Sequence, residues 1–174
     1  ASANFPVTPG AFDTTYNGGA FSGGDAFVAK VNAAGVALTY ATFLGGRGSD
    51  VARAVAVDAG GSAFVVGETS SAGFPVTPGA LQAAYGGGTL AGGDAFVVKL
   101  NPAGSALGYS TYVGGRSADR AYAVALDMAG QATIVGATCS AGFPTIHCAL
   151  AASYRGGGDG FLVRLSATGG LQYG

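Results

Sequence analysis

The chain has 174 residues, enough for a substantial core, and it holds 33 glycines, no tryptophan and 49% hydrophobic residues. Eight basic side chains face nine acidic ones, which excludes the broad cationic surface that nucleic-acid phosphates require. Gly, Asp or Lys breaks every apolar run short of the ~18 residues of a membrane helix, and the glycines lack the three-residue rhythm of collagen.

Short Val, Phe, Tyr and Ala runs between Gly- and Asp-rich turns predict an all-β protein. The elements repeat. Phe5-Pro6-Val7-Thr8-Pro9-Gly10-Ala11 returns 69 residues later as Phe74-Pro75-Val76-Thr77-Pro78-Gly79-Ala80. It returns again, altered, as Phe143-Pro144-Thr145-Ile146-His147-Cys148-Ala149. A fixed period of this length marks one supersecondary unit used several times.

In chain order, residues 1–24 read as a connector and 25–73 as a first blade of four strands. A second connector, 74–93, precedes a second blade, 94–142, with strands over 94–100, 107–113, 121–126 and 131–138. Asn101-Pro102-Ala103-Gly104 is strong turn chemistry between the first two of these, with Pro fixing φ and Gly accepting positive φ. A third connector, 143–158, leads to the first half of a third blade, 159–174. The first copy is expected to place its strands between Asp25 and Thr69.

Four short strands with tight turns predict an antiparallel meander, and a single meander must stack on neighbours to bury its faces. Ala52, Ala54 and Ala56, like Ala121, Ala123 and Ala125, alternate with Val55, Val57, Val124 and Leu126. This predicts one small-residue face and one bulky face per strand. The expected architecture is therefore about two and a half β-propeller blades, as an incomplete propeller or open stacked array, where closed propellers use about four to eight. The unfinished edge is expected at the C-terminal half blade, to be completed by further repeats or by other copies of the chain, in a ring or a fibre.

Three stretches of the second copy carry a family resemblance. They are Tyr109-Ser110-Thr111-Tyr112-Val113-Gly114-Gly115, Asp119-Arg120-Ala121-Tyr122-Ala123-Val124-Ala125-Leu126-Asp127, and Val135-Gly136-Ala137-Thr138 with Phe143-Pro144. The first copy matches through Tyr40 to Gly46, Asp50 to Asp58, and Val66-Gly67-Glu68-Thr69-Ser70-Ser71 with Phe74-Pro75. Over essentially its whole length the chain resembles the bacterial SBBP-type β-propeller repeat. The resemblance implies propeller blades in a secreted or surface-associated bacterial protein, and it carries no catalytic residue across.

Cys139 and Cys148 enclose a short loop, and Ser70 and Gly79 stand at their positions one copy earlier. Their joint appearance points to a local disulfide and an oxidising compartment. A zinc site is disfavoured, because His147 is the one further ligand nearby where about four are wanted. No cationic leader opens the sequence, so no signal peptide is expected within it.

Asp25, Asp94 and Asp159 recur, as do Asp50 with Asp119 and Asp58 with Asp127. They read as turn caps for backbone amides, or alternatively as one calcium ligand per blade. Lys30, Lys99 and Arg164 share a position, and Arg47 and Arg116 another; an inter-blade ion pair competes with a solvated strand edge. Tyr16, Tyr85 and Tyr154 recur before glycine runs, where they either pack into the connector or stack on sugar rings. His147 has no equivalent and no nucleophile arranged around it, so no catalytic residue is assigned. Ser and Thr beside Pro over 69–78 suit O-linked sugar.

The expectation is a non-enzymatic, extracellular structural repeat protein with no resident cofactor, whose partners are further repeats or other copies of itself. The alternatives are a lectin-like propeller and a calcium-stabilised adhesion module.

Overall fold

The computed structural model describes residues 2–18, 23–87, 93–146 and 153–174. Among them are ten strands and no helix. They are β1 (Ala26–Val31), β2 (Leu38–Leu44), β3 (Asp50–Val57), β4 (Ala63–Thr69), β5 (Asp94–Leu100), β6 (Leu107–Val113), β7 (Asp119–Leu126), β8 (Ala132–Thr138), β9 (Asp159–Leu165) and β10 (Leu171–Tyr173). The strand ends fall within two residues of those the sequence predicts. The fold is all-β, with antiparallel meanders of two, four and four strands, not closed into a barrel.

The grouping of the strands differs from expectation. The sheets are β1-β2, β3-β4-β5-β6 and β7-β8-β9-β10, so each full sheet joins the last two strands of one sequence copy to the first two of the next. The sheets therefore span 50–113 and 119–173, where the sequence predicts blades at 25–73 and 94–142. The half sheet is the N-terminal pair β1-β2, and the C-terminal strands complete a full one. Spacing alone reveals a period and leaves its phase open, which is why the predicted blades are displaced by half a unit.

The phase is set by the path of the connector. Residues 70–93 join β4 to β5, which already lie side by side in register from Ala63↔Leu100 to Thr69↔Asp94. The connector runs out to the far strand, β6, and returns. On the way Thr77 donates its amide to Ser110 O (3.1 Å) and Tyr112 donates to Gln82 O (3.2 Å). The Thr77 hydroxyl also accepts the Ser110 amide at 2.9 Å. Residues 8–13 strap β2 in the same way, with Thr8 N to Ala41 O at 3.0 Å and Phe43 N to Asp13 O at 2.9 Å. Edge amides that would otherwise template aggregation are thus satisfied locally.

The sheets pack face to face through two apolar clusters. One joins the two full sheets through Phe64, Val66, Val97, Ile134, Val163 and Leu165. The other joins the half sheet to its neighbour through Leu44, Val65, Phe74, Phe96, Val98 and Tyr112. Bulges at Arg53 and Tyr122 interrupt the alternation of β3 and β7. The extra residue reverses the facing of the rest of each strand. Ala121 therefore shares the packed side with Val124 and Leu126, while Ala123 and Ala125 are exposed. The continuous small-residue face predicted for these strands does not form.

Candidate interaction sites at the sheet junctions

The recurring aspartates sit where chain segments meet, and each caps backbone amides. Asp50 accepts the Gly46 amide (2.9 Å) and the Ser71 hydroxyl (2.9 Å), and it is hydrogen-bonded by Thr69. Asp119 repeats this with the Gly115 amide (2.8 Å) and the Ser140 hydroxyl (2.7 Å). Asp25, Asp94 and Asp159 accept the amides of Asn17 (2.8 Å), Gly86 (2.8 Å) and Arg155 (2.7 Å). Asp58 and Asp127 take the amides of Ser62 (2.8 Å) and Gln131 (2.9 Å) in the β3–β4 and β7–β8 turns.

Burial first, and the neighbouring Asp119 charge as well, push the Asp94 carboxyl up to about 6 against the pull of the Gly86 amide. Burial also raises Asp25 and Asp50. Among the described residues no three His, Cys, Asp or Glu side chains converge as a metal-binding group.

Arg47 and Arg116 are exposed in the loops after β2 and β6, while Lys99 and Arg164 serve neither of the purposes weighed for the cations. Lys99 lies on β5, an inner strand, and meets Asp58 of its own sheet at 3.5 Å while its ammonium sits 4.7 Å over the Phe64 ring. Arg164 on β9 pairs with Asp127 in the equivalent way. Both are pairs within a sheet, across two strands. Lys30, at the same position of β1, has no carboxylate partner among the described residues, because the half sheet lacks the hairpin that would supply one. The ion pair that does cross a junction is Arg120 on β7 with Glu68 on β4, at 2.8 Å. No repetition signals it, since Ala137 and Val51 replace these residues in the other copies.

Two tyrosines of the series Tyr16, Tyr85 and Tyr154 pack on another ring. Tyr16 lies edge-on to Phe43 with centroids 5.6 Å apart, and Tyr85 is tilted against Tyr112 at 5.9 Å. The Tyr154 hydroxyl accepts the Gly158 amide at 3.2 Å. Cys139 follows β8 at the surface. His147, Cys148 and the Cys139–Cys148 bridge they would frame lie outside the described residues.

A second tyrosine series forms the sharpest junction feature. Tyr40 on β2 packs its ring on Gly104 in the β5–β6 turn, where any Cβ would overlap it. Tyr109 on β6 packs on Gly169 in the β9–β10 turn, and a Cβ there would stand 2.9 Å from the ring. Both glycines are buried and both have positive φ, +67° and +90°. Only glycine provides that backbone shape and that space together. The two halves of the same lock stand open at the ends. Gly35 in the β1–β2 turn has nothing near it, and Tyr173 is 41% exposed.

Two concavities are lined by described residues. An apolar groove of about 330 Å³ runs between β1 and the β3–β4 hairpin, lined by Val28, Tyr40, Val55, Ala63 and Val65 among others. A more polar cleft of about 700 Å³ is lined by Asp13, Asn17, Arg47 and Ser70 with the surrounding glycines. Sequence reasoning missed the strap residues Thr8 and Thr77, Thr42 and Thr111, and the cap hydroxyls Ser71 and Ser140. Each pair recurs at 69 residues, so the same periodicity contains them. Among known proteins, no family model matches this sequence and no curated protein is significantly similar to it.

Proposed function

We propose that the chain is a non-enzymatic structural repeat module of an extracellular or surface-associated bacterial protein, working as part of a longer stacked propeller-like array or fibre. One observation carries this reading. The Tyr-on-Gly lock closes both internal junctions, and its two unmatched halves, Gly35 and Tyr173, lie on opposite end sheets. A stack with such ends accepts more units of its own kind at either side, as repeat arrays do.

The recurring polar residues are consistent with this role. Many of their hydrogen bonds go into caps and straps, and the rings of Tyr16 and Tyr85 pack on Phe43 and Tyr112. The extracellular, bacterial setting rests on the resemblance to SBBP-type repeats and on the cysteine pair.

Repeat-number dependence tests the proposal. Chains lengthened after Gly174 by one and two further 69-residue periods are expected to unfold at successively higher temperature and denaturant concentration, because each added interface contributes its own stability. Equal midpoints across the series would refute it.

A further inference from the structure

We propose that the open edge of β1, together with the groove between β1 and the β3–β4 hairpin, is an acceptor site for a β-hairpin of this repeat's own β3–β4 type, supplied by a neighbouring repeat unit. The inference rests on the repeat-module reading above and names the partner of its N-terminal sheet.

The backbone provides the first observation. β5 and β9 are each paired on both sides, with β4 and β8 respectively aligned along seven residues. β1 has nearly the same sequence, Ala26-Phe27-Val28-Ala29-Lys30-Val31 against Ala95-Phe96-Val97-Val98-Lys99-Leu100. Among the described residues it pairs with β2 alone, and β2's outer edge is already strapped by residues 8–13. One row of β1 amides and carbonyls is therefore available for strand addition.

The side chains set the register and the sequence of what fits. Phe96 is aligned with Gly67 and Phe161 with Gly136. A Cβ on Gly67 would come within 3.0 Å of the Phe96 ring, so the ring lies across a glycine in the neighbouring strand. Phe27 stands at this position on β1 and is 48% exposed, where Phe96 is fully buried. Lys99 faces Phe64 across the pair and reaches Asp58 in the turn; Lys30 has neither. The site thus calls for a strand reading Ala-Phe-Val-Val-Gly-x-Thr, preceded by a turn aspartate.

The groove supplies the third observation. In the junction of the two full sheets, Val124 and Leu126 of β7 pack against the cluster that holds Phe64 and Val66 of β4. Their counterparts on β3, Val55 and Val57, are 59% and 60% exposed and line the groove beside β1. The absent neighbour is a β4-like strand, whose Phe and Val side chains would enter this 330 Å³ space. The connector is matched as well. Residues 1–24 repeat 70–93 in length and in motif, and 70–93 is the segment that returns a chain from β4 to the flank of β5.

The test uses the full 174-residue chain and a fluorescent peptide of residues 50–69. Saturable binding is expected, with slowed hydrogen exchange at the amides of 26–31. Lys30→Glu should weaken binding at least tenfold, and a peptide carrying Asp58→Lys should recover preference for the Lys30→Glu chain. A free hairpin pays for its own ordering, so the same 20 residues are also fused directly before Ala1, at high effective concentration. Protection of β1 in the fused chain, lost when the fused segment is scrambled, supports the site even if the free peptide binds too weakly to measure. Equal binding of a scrambled peptide, a dimer whose β1 amides are protected without peptide, or an unprotected β1 in the fused chain would each overturn it. None of these outcomes depends on the stability series for units added after Gly174, so the two proposals fail separately.

Discussion

Asp94 makes the fold's stability depend on pH in an unusual direction. The side chain is fully buried, with Oδ2 held by the Gly86 amide at 2.8 Å and by Gln82 Nε2 at 2.9 Å, while Oδ1 is buried without a hydrogen-bond partner. Its carboxyl titrates at about 6 in the fold against 3.8 in the unfolded chain. Between these values the folded state holds the extra proton, so stability falls as pH rises from about 4 through 6 and levels off above. Two units correspond to about 3 kcal/mol, or roughly 6–12 °C of Tm for a chain of this size. The raised carboxyls of Asp25 and Asp50 act with the same sign. Asp58 opposes them: burial lifts it, yet the Ser62 amide and Lys99 together hold it below 3.8, so its contribution is lost only in stronger acid. Thermal unfolding between pH 4.5 and pH 8 should therefore show a higher Tm at the acid end. Asp94→Asn keeps an acceptor for Gly86 and Gln82, and it should raise the Tm at pH 8 while flattening most of the slope. A Tm that rises with pH over this range, or an Asn variant as pH-dependent as the parent, would refute the reasoning.

Three further outcomes are expected. Gly104→Ala should cost roughly 2–5 kcal/mol, combining positive φ with overlap of the Tyr40 ring, while Gly35→Ala, with open space, should cost only about 1–2 kcal/mol in chemical denaturation. Tyr112→Phe removes a hydroxyl that donates to Ser71 O (2.7 Å) and accepts from Phe74 N (3.1 Å). Those two groups still bond each other at 3.1 Å, so the loss should be about 1 kcal/mol, read as a small drop in urea midpoint. Tyr85→Ala should lower stability by roughly 2–4 kcal/mol through its lost packing on Tyr112, and glycan-array binding that vanishes with a natively stable variant would restore the lectin reading.

Much of the fold is legible in the sequence because strand and turn signals are local. Asn101-Pro102-Ala103-Gly104 closes its turn as read, with Gly104 N donating to Asn101 O at 2.9 Å. The caps at Asp50 and Asp119 are equally local, reaching Gly46 and Gly115 four residues away. The features that escaped were decided by pairing at a distance. A seven-residue strand such as β5 carries the same pattern whether its neighbour is β4 or some later strand, so the phase of the sheets could not be read from it. The bulges at Arg53 and Tyr122 are invisible to a period-two pattern, and they turned the expected alanine face of β3 and β7 inside out. The Arg120–Glu68 pair across the junction needed both the phase and the stacking before it could be seen.

The half-unit offset between the sequence period and the sheets has a mechanical meaning. If each sheet were built from one sequence copy, successive sheets would be joined by the long connectors 70–93 and 139–158 and held otherwise by side-chain contact alone. In the observed arrangement the long connector lies inside a sheet and straps its outer strand, so pulling one sequence copy from the next must break the β4–β5 pairing. Sheets are joined to each other by the short loops 45–49 and 114–118, which Asp50 with Ser71 and Asp119 with Ser140 pin to the start of the connector. Each complete sequence copy is therefore shared between two sheets, and each four-stranded sheet between two copies. Among the described residues the β1-β2 pair shows the same dependence from the other side: with no β4-like strand beside β1, Lys30 lacks the carboxylate that Lys99 finds, and Val55 and Val57 are exposed.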